Sequence, residues 1–186
     1  MNERLFGFVG GDSGAWEVTQ MRAVKGAPLP EVKTIAILNG FSIQGHHAHW
    51  VLRGVTSNER YVTKEEKSRL IATQEGLGRT ESTLAALIPI RKNASWWLLT
   101  QEERREILEE RSHHIQIGMA YLPAIARRLY HCRDIGTPEP FDFLTWFEFS
   151  PSDASQFDDL VAQLRTTHEW SYIDHEIDIR LARKNG

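Results

Sequence analysis

Residues 100–149 read TQEERREILEERSHHIQIGMAYLPAIARRLYHCRDIGTPEPFDFLTWFEF. The first four form a capping box: the Thr100 hydroxyl can accept from the Glu103 amide, and the Glu103 carboxylate can reach back to the Thr100 amide. A helix is therefore predicted to begin near Gln101. Ile107, Leu108, Ile115, Met119 and Leu122 recur at helical spacing, and Pro123 sets the limit of that helix. Beyond it, residues 125–132 and 141–149 read as two strands. The loop between them holds Gly136, Pro138 and Pro140, which makes the pair a hairpin.

Working outward, residues 84–92 (LAALIPIRK) form a short apolar run that reads as a strand. Downstream, Ser150 is predicted to cap a second helix, with Pro151 at the first helical position and Asp153 near the positive end. Phe157, Leu160, Val161 and Leu164 give it one apolar stripe. Residues 172–181 then alternate: Ile173, His175, Ile177, Ile179 and Leu181 face one way, and Asp174, Glu176, Asp178 and Arg180 the other. The order β-α-β-β-α-β is the ferredoxin-like unit, an antiparallel sheet with both helices on one face.

The first half looks like a truncated version of the same theme. Residues 5–9, 34–38 and 47–55 read as strands, 26–30 as loop, and 63–75 as a helix opened by a Thr63-x-x-Glu66 box. No helix is predicted between the first two strands. With no low-complexity linker, residues 1–80 and 81–186 are expected to be two related halves of one compact α+β domain.

Of the 186 residues, 41% are hydrophobic, enough for one shared core. The net charge of −3 and the absence of Lys/Arg clusters argue against nucleic acid as a partner. No window approaches the length of a membrane helix, and no basic-then-apolar leader opens the chain. The single cysteine, Cys132, allows no internal disulfide, and cytoplasm is the expected compartment.

HExxH, P-loop, GxSxG and CxxC motifs are all missing. The tract His46-His47-Ala48-His49 resembles a metal ligand run. On a strand, however, His47 and His49 share a face that His46 does not, and no carboxylate or Cys follows at ligand spacing, so it reads as an ordinary polar face, with a metal site as the lesser alternative. His113 and His114 are more informative. His114 lies seven residues after Ile107 and four before Gly118, on one helix face, which would leave a flat space for a planar ligand. From spacing alone the alternative, a polar helix end, prevails.

Period two puts Ile125, Arg127, Leu129 and His131 on one face of their strand, and Phe141, Phe143, Thr145, Phe147 and Phe149 on one face of the next. If those faces meet the helices, Arg127 projects into an apolar chamber lined by Leu129, Thr145 and Phe147. An unpaired guanidinium is costly there unless an anion binds it. The other reading has Arg127 at a sheet end, reaching water.

Four ordered segments carry a resemblance: AALIPIRKNASWW from Ala85, SHHIQIGMAYLPAIARRLYHCRD from Ser112, FDFLTWFEF from Phe141 and LRTTHEWSYIDHEIDIRL from Leu164. Together they resemble the chlorite dismutase family. Leu5-Phe6-Gly7-Phe8-Val9-Gly10-Gly11 and Arg60-Tyr61-Val62 resemble its short, dimeric branch. The resemblance implies a dimeric α+β barrel that binds haem b, forms a homodimer and converts chlorite to chloride and dioxygen, holding a hypochlorite fragment until the O–O bond forms. It makes His114 the iron ligand, Glu169 the partner of that imidazole's other nitrogen, Arg127 the arginine on the opposite side of the haem, and Gln74 the residue that steers Arg127. Tyr61, Lys92 and Trp96 become propionate and rim contacts, and Leu129, Thr145 and Phe147 the walls. Coproheme decarboxylase, a peroxidase-like activity or a haem carrier are the rival expectations.

Overall fold

The computed structural model describes residues 4–40, 42, 43, 45, 47–56, 62–73 and 76–184. The first half contributes strands β1 (Leu5–Gly11), β2 (Trp16–Lys25), β3 (Thr34–Asn39) and β4 (Ala48–Val55), then helix α1 (Lys64–Thr73). The second half contributes β5 (Leu84–Lys92), α2 (Ala94–Leu98), α3 (Gln101–Arg105), α4 (His114–Ala120), β6 (Ala126–His131), β7 (Phe143–Phe149), α5 (Ala154–Arg165) and β8 (Ile173–Arg183).

All eight strands join one closed antiparallel barrel in the order β1-β3-β2-β8-β5-β7-β6-β4. Within each half, counting strands from its own start, the order is 4-1-3-2, the ferredoxin-like arrangement. The halves join along β2 and β8, paired from Trp16↔Arg183 to Lys25↔Glu176, and at the single pair Val55↔His131 between β4 and β6.

The sequence pattern missed β2. Its inward side chains are Trp16 and Val18, then Met21 and Ala23, and the register slips between Val18 and Gln20. A bulge thus shifts the alternation from even to odd positions and erases the period-two signal. The first half therefore keeps four strands and lacks only the helices between them; α1 follows β4 instead.

Inward residues from every strand, among them Phe8, Ile35, Leu52, Leu87, Trp146 and Ile179, fill the barrel. A second core lies outside it, where Phe157, Leu160, Val161 and Leu164 of α5 cover Ala86, Ile88, Phe147 and Phe149. The second-half sheet is therefore buried on both faces. That explains why Glu176 and Asp178, on the polar side of β8, are themselves buried. Arg165 of α5 meets both, with its Nε 2.8 Å from Glu176 Oε1 and its Nη2 2.8 Å from Asp178 Oδ2.

Two helix predictions are corrected. Ser150 does not cap a backbone amide; its hydroxyl donates to the Asp153 carboxylate at 2.7 Å, and a 3₁₀ turn, Pro151–Asp153, precedes α5. The helix expected from Gln101 to Pro123 is not continuous. It widens into a π-helical turn over Glu106–Glu110, and His113 adopts a left-handed φ of 53° before α4 begins at His114. Ile107 and His114 do not share one helix.

Candidate functional site

The break in the helix gives His114 its place. As the first residue of α4 it sits beside two side chains from neighbouring turns. The Ile115 amide, an orphan donor at a helix start, donates to Glu109 Oε2 at 2.7 Å. The buried Ser112 hydroxyl accepts from the Glu169 amide at 2.8 Å. Glu169 lies on the 3₁₀ turn His168–Tyr172 that follows α5. That turn is held further by the Trp170 indole, donating to Glu176 Oε2 at 2.8 Å, and by Lys25, donating to the Trp170 and Ile173 carbonyls at 3.0 and 3.1 Å.

So positioned, the Glu169 carboxylate accepts from two sides. His114 Nδ1 stands 2.6 Å from Oε2, and Lys92 Nζ stands 2.6 Å from Oε1. The carboxylate is 4% exposed and the lysine 2%. Burial pushes the Glu169 pKa up, but the adjoining His114 and Lys92 outweigh it and hold the carboxyl well below the usual range. An ionised acceptor makes Nδ1 the donating ring nitrogen and turns Nε2 toward the ligand side. Among the described residues Nε2 has no hydrogen-bond partner.

His114 and Glu169 border a cavity of about 390 Å³ between the outer face of the second-half sheet and the helices. Arg127, Leu129 and His131 of β6 reach it, opposite Phe147, Thr145 and Phe143 of β7 in register. Ile88, Ile90 and Lys92 of β5 continue the same face. The odd-numbered faces of the hairpin thus meet the helices, and Arg127 shares its chamber with Leu129, Thr145 and Phe147. Leu70 of α1 lines it too, and α1 is pinned by a bidentate pair in which Arg105 donates to Glu66 at 2.9 and 2.8 Å.

The structure moves two expected positions. Lys92 is not at an exposed rim; its ammonium is buried on Glu169 and lies 4.4 Å from the centre of the Trp96 ring. The flat space expected over Gly118 is taken, because the Arg127 guanidinium rests there. Trp96 lines the cavity, edge-on to Tyr172 at 5.5 Å. Trp97 stacks outside it between Phe143 and Arg133. Gln74, Tyr61 and His46 lie outside the described residues, while His47 and His49 are exposed.

Sequence reasoning gave no role to Ser112 or His131. It also missed Lys92 as the partner of Glu169, although Lys92 shares the parity of Ile88 and Ile90, which would have turned it toward the helices.

The donor set limits what the cavity can hold. Among the described residues, no three His, Cys, Asp or Glu side chains group to bind a bare ion. A single imidazole facing a wide apolar chamber suits a metal that brings its own in-plane ligands, so the residues fit a haem.

Fold and cavity together define an α+β barrel protein with a cavity outside the barrel, between one half's sheet and its helices. A family model for chlorite dismutase matches residues 38–185, and the chain belongs to that family. It is 31% identical over 123 residues to the chlorite dismutase of Ideonella dechloratans, covering 65% of this chain but only 40% of that relative. The dimeric chlorite dismutase of Nitrobacter winogradskyi is 55% identical with a TM-score of 0.89, over 96% of this chain and 99% of that one. A mutant chlorite dismutase from Candidatus Nitrospira defluvii, in complex with cyanide, shares the fold at 18% identity and a TM-score of 0.71, over 100% of this chain and 92% of that one.

Proposed function

We propose that this chain is a haem b-dependent chlorite dismutase that converts chlorite to chloride and dioxygen. The observation that carries it is the hydrogen-bonded trio of His114, Glu169 and Lys92, of which Glu169 and Lys92 are buried, with Arg127 lining the same cavity.

His114 would hold the haem iron through Nε2. Glu169, kept ionised, draws the Nδ1 proton and makes the imidazole a stronger donor. Lys92 offsets the carboxylate's charge and fixes its orientation. Bound haem b would supply the redox-active iron for splitting the O–Cl bond of chlorite. Arg127 is cationic at any physiological pH and pairs with the entering anion. Leu129, Thr145 and Phe147 exclude water, which strengthens that pairing. By keeping the hypochlorite fragment inside the cavity, Arg127 would let the two oxygens of one chlorite join as dioxygen while the last O–Cl bond breaks and its electron pair leaves with chloride, before the fragment escapes. Gln74, steering Arg127, and Tyr61 and Trp96 at the haem rim complete the assignment by family resemblance.

The likeness to a dimeric chlorite dismutase supports a homodimer. Residues 1–80 and 81–186 are read as related halves of one domain. Cytoplasm is the proposed compartment, because a single cysteine allows no internal disulfide and fits a reducing environment.

The test is hemin titration followed by an oxygen-electrode trace with chlorite. The expected result is one Soret-absorbing haem per chain and stoichiometric dioxygen, with haem retention lost in His114→Ala. A protein that takes up hemin yet yields no oxygen is a carrier. One that converts coproheme to haem b is the decarboxylase. Either outcome ends the proposal.

A further inference from the structure

Asp142 stands immediately before β7, and its carboxylate is buried. Its polar groups reach two other stretches of chain, the end of β5 and the residues after β6. The Asp142 amide donates to the Ile90 carbonyl at 2.9 Å, and its carbonyl accepts from the Cys132 amide at 2.9 Å. Its Oδ2 accepts from the Lys92 amide at 2.7 Å, and its Oδ1 from Arg133 Nη1 at 3.3 Å. The register of β7 against β5 ends at Ile90↔Phe143. Lys92 lies two residues past that point, and the carboxylate stands in for the main-chain acceptor that β7 no longer supplies. On the other side of β5 the register against β8 slips between Arg91 and Lys92. A strand end bulged on one edge and unpaired on the other would fray. This one is buried, and it carries the ammonium that meets Glu169 Oε1 at 2.6 Å. Asp142 does not line the cavity, so its contacts do not depend on what fills that space.

We propose that Asp142 is a positioning residue for the iron-binding imidazole. By holding the Lys92 main chain it fixes where the Lys92 ammonium meets Glu169, and through Glu169 it sets how strongly the His114 Nδ1–H is drawn. This rests on the assignment of His114 as the haem ligand. A lysine stem is flexible, so its ammonium stays on one oxygen only if its root is fixed. Without Asp142 the buried Lys92 amide has no acceptor, and the strand end must shift to find one. The ammonium also draws electron density from the carboxylate. Once it retreats, the carboxylate accepts more strongly from Nδ1–H, and the imidazole gains anionic character. The amide needs an oxygen rather than a charge. Asparagine can supply that oxygen, because the half-exposed Arg133 is able to turn to solvent.

The experiment compares wild type, Asp142→Ala, Asp142→Asn, Lys92→Met and the Asp142→Ala/Lys92→Met double variant. In the haem-free proteins, NMR follows the His114 Nδ1–H signal and hydrogen exchange at the Lys92 amide, with the Ile179 amide in the barrel as the reference for global stability. In the hemin-loaded, reduced proteins, resonance Raman reads the iron–imidazole stretch. Asp142→Ala is expected to speed exchange at Lys92 roughly ten- to a hundredfold relative to Ile179. It should also move the His114 signal downfield and raise the stretch frequency, both in the direction of Lys92→Met. Asp142→Asn should restore all three to wild type. In the Lys92→Met background the alanine should move neither the His114 signal nor the stretch. Faster Lys92 exchange in Asp142→Ala with the His114 signal and the stretch unmoved would mark a merely structural residue and overturn the proposal. An effect on His114 that persists without Lys92, or an asparagine variant that behaves like the alanine one, overturns it as well. A reduced wild type with no iron–imidazole band ends the haem reading and the link to iron, while the haem-free signals still decide whether Asp142 governs His114. If Asp142→Ala does not fold, the wild-type scalar coupling from the Lys92 amide nitrogen to the Asp142 carboxyl carbon decides: its absence refutes the anchor.

Discussion

Glu169 is a carboxylate in a place where burial alone would neutralise it. It stays charged because two donors from elements far apart in the chain converge on its two oxygens. Glu169→Gln leaves the Lys92 ammonium buried without an anion, and the expected loss in unfolding free energy is about 3–5 kcal/mol. Denaturant titration near neutral pH measures it. Removing both charges, as Lys92→Met with Glu169→Gln, should cost less than the two single changes added together, because no buried charge is then stranded. An additive result contradicts the pairing. The pH dependence has a definite sign. Since the folded-state pKa of Glu169 is depressed below its ordinary 4.5, its contribution is complete above that value and is lost as pH falls toward the folded value. The stability gap between wild type and Glu169→Gln should therefore shrink between about pH 4.5 and pH 3; a gap that widens there refutes the ionised carboxylate. His114 and Glu169 were legible only through family resemblance. The Lys92–Glu169 bond spans 77 residues of chain, and no local pattern marks it.

At the scale of elements, the capping boxes were plain in the sequence. Thr100 accepts from the Glu103 amide at 3.2 Å, and Thr63 accepts from the Glu66 amide at 3.2 Å. The break before α4 was not, since hydrophobic spacing runs straight through it. The break is held by tertiary and capping contacts: Glu109 on the Ile115 amide and Ser112 on the Glu169 amide. Glu109→Ala should cost about 1 kcal/mol, as lost helix caps do, and should weaken hemin affinity because His114 is the next residue along. A melting curve and a hemin titration test this; a lower melting temperature with unaltered hemin affinity would separate the cap from the site. Glu66 does double duty, closing its own capping box and accepting both arms of Arg105. Arg105→Ala is expected to release α1 from α3 at a cost of about 1 kcal/mol. Hydrogen exchange should then rise across residues 64–73 while the strands remain protected.

For the molecule as a whole, the barrel separates stability from function. Ile179 and Phe157 are both fully buried, but Ile179 points into the barrel and Phe157 lies on the helix side, 5.0 Å from the cavity-lining Phe147. Ile179→Ala and Phe157→Ala should each destabilise by about 2–5 kcal/mol. Only the second should also weaken haem uptake, measured at a temperature where both variants stay folded. Equal effects on haem would show that the two cores are not independent.

Composition, capping boxes and the two periodicities of strand and helix were sufficient for the second half's β-α-β-β-α-β order and for the face that Arg127 shares with Leu129, because those signals are local and repeat every two or every 3.6 residues. Three features lay beyond them: β2, the interrupted helix, and the meeting of His114, Glu169 and Lys92. Each depends on partners dozens of residues away. A bulge, a left-handed residue and a buried ion pair cost free energy where they stand, and only long-range packing offsets it.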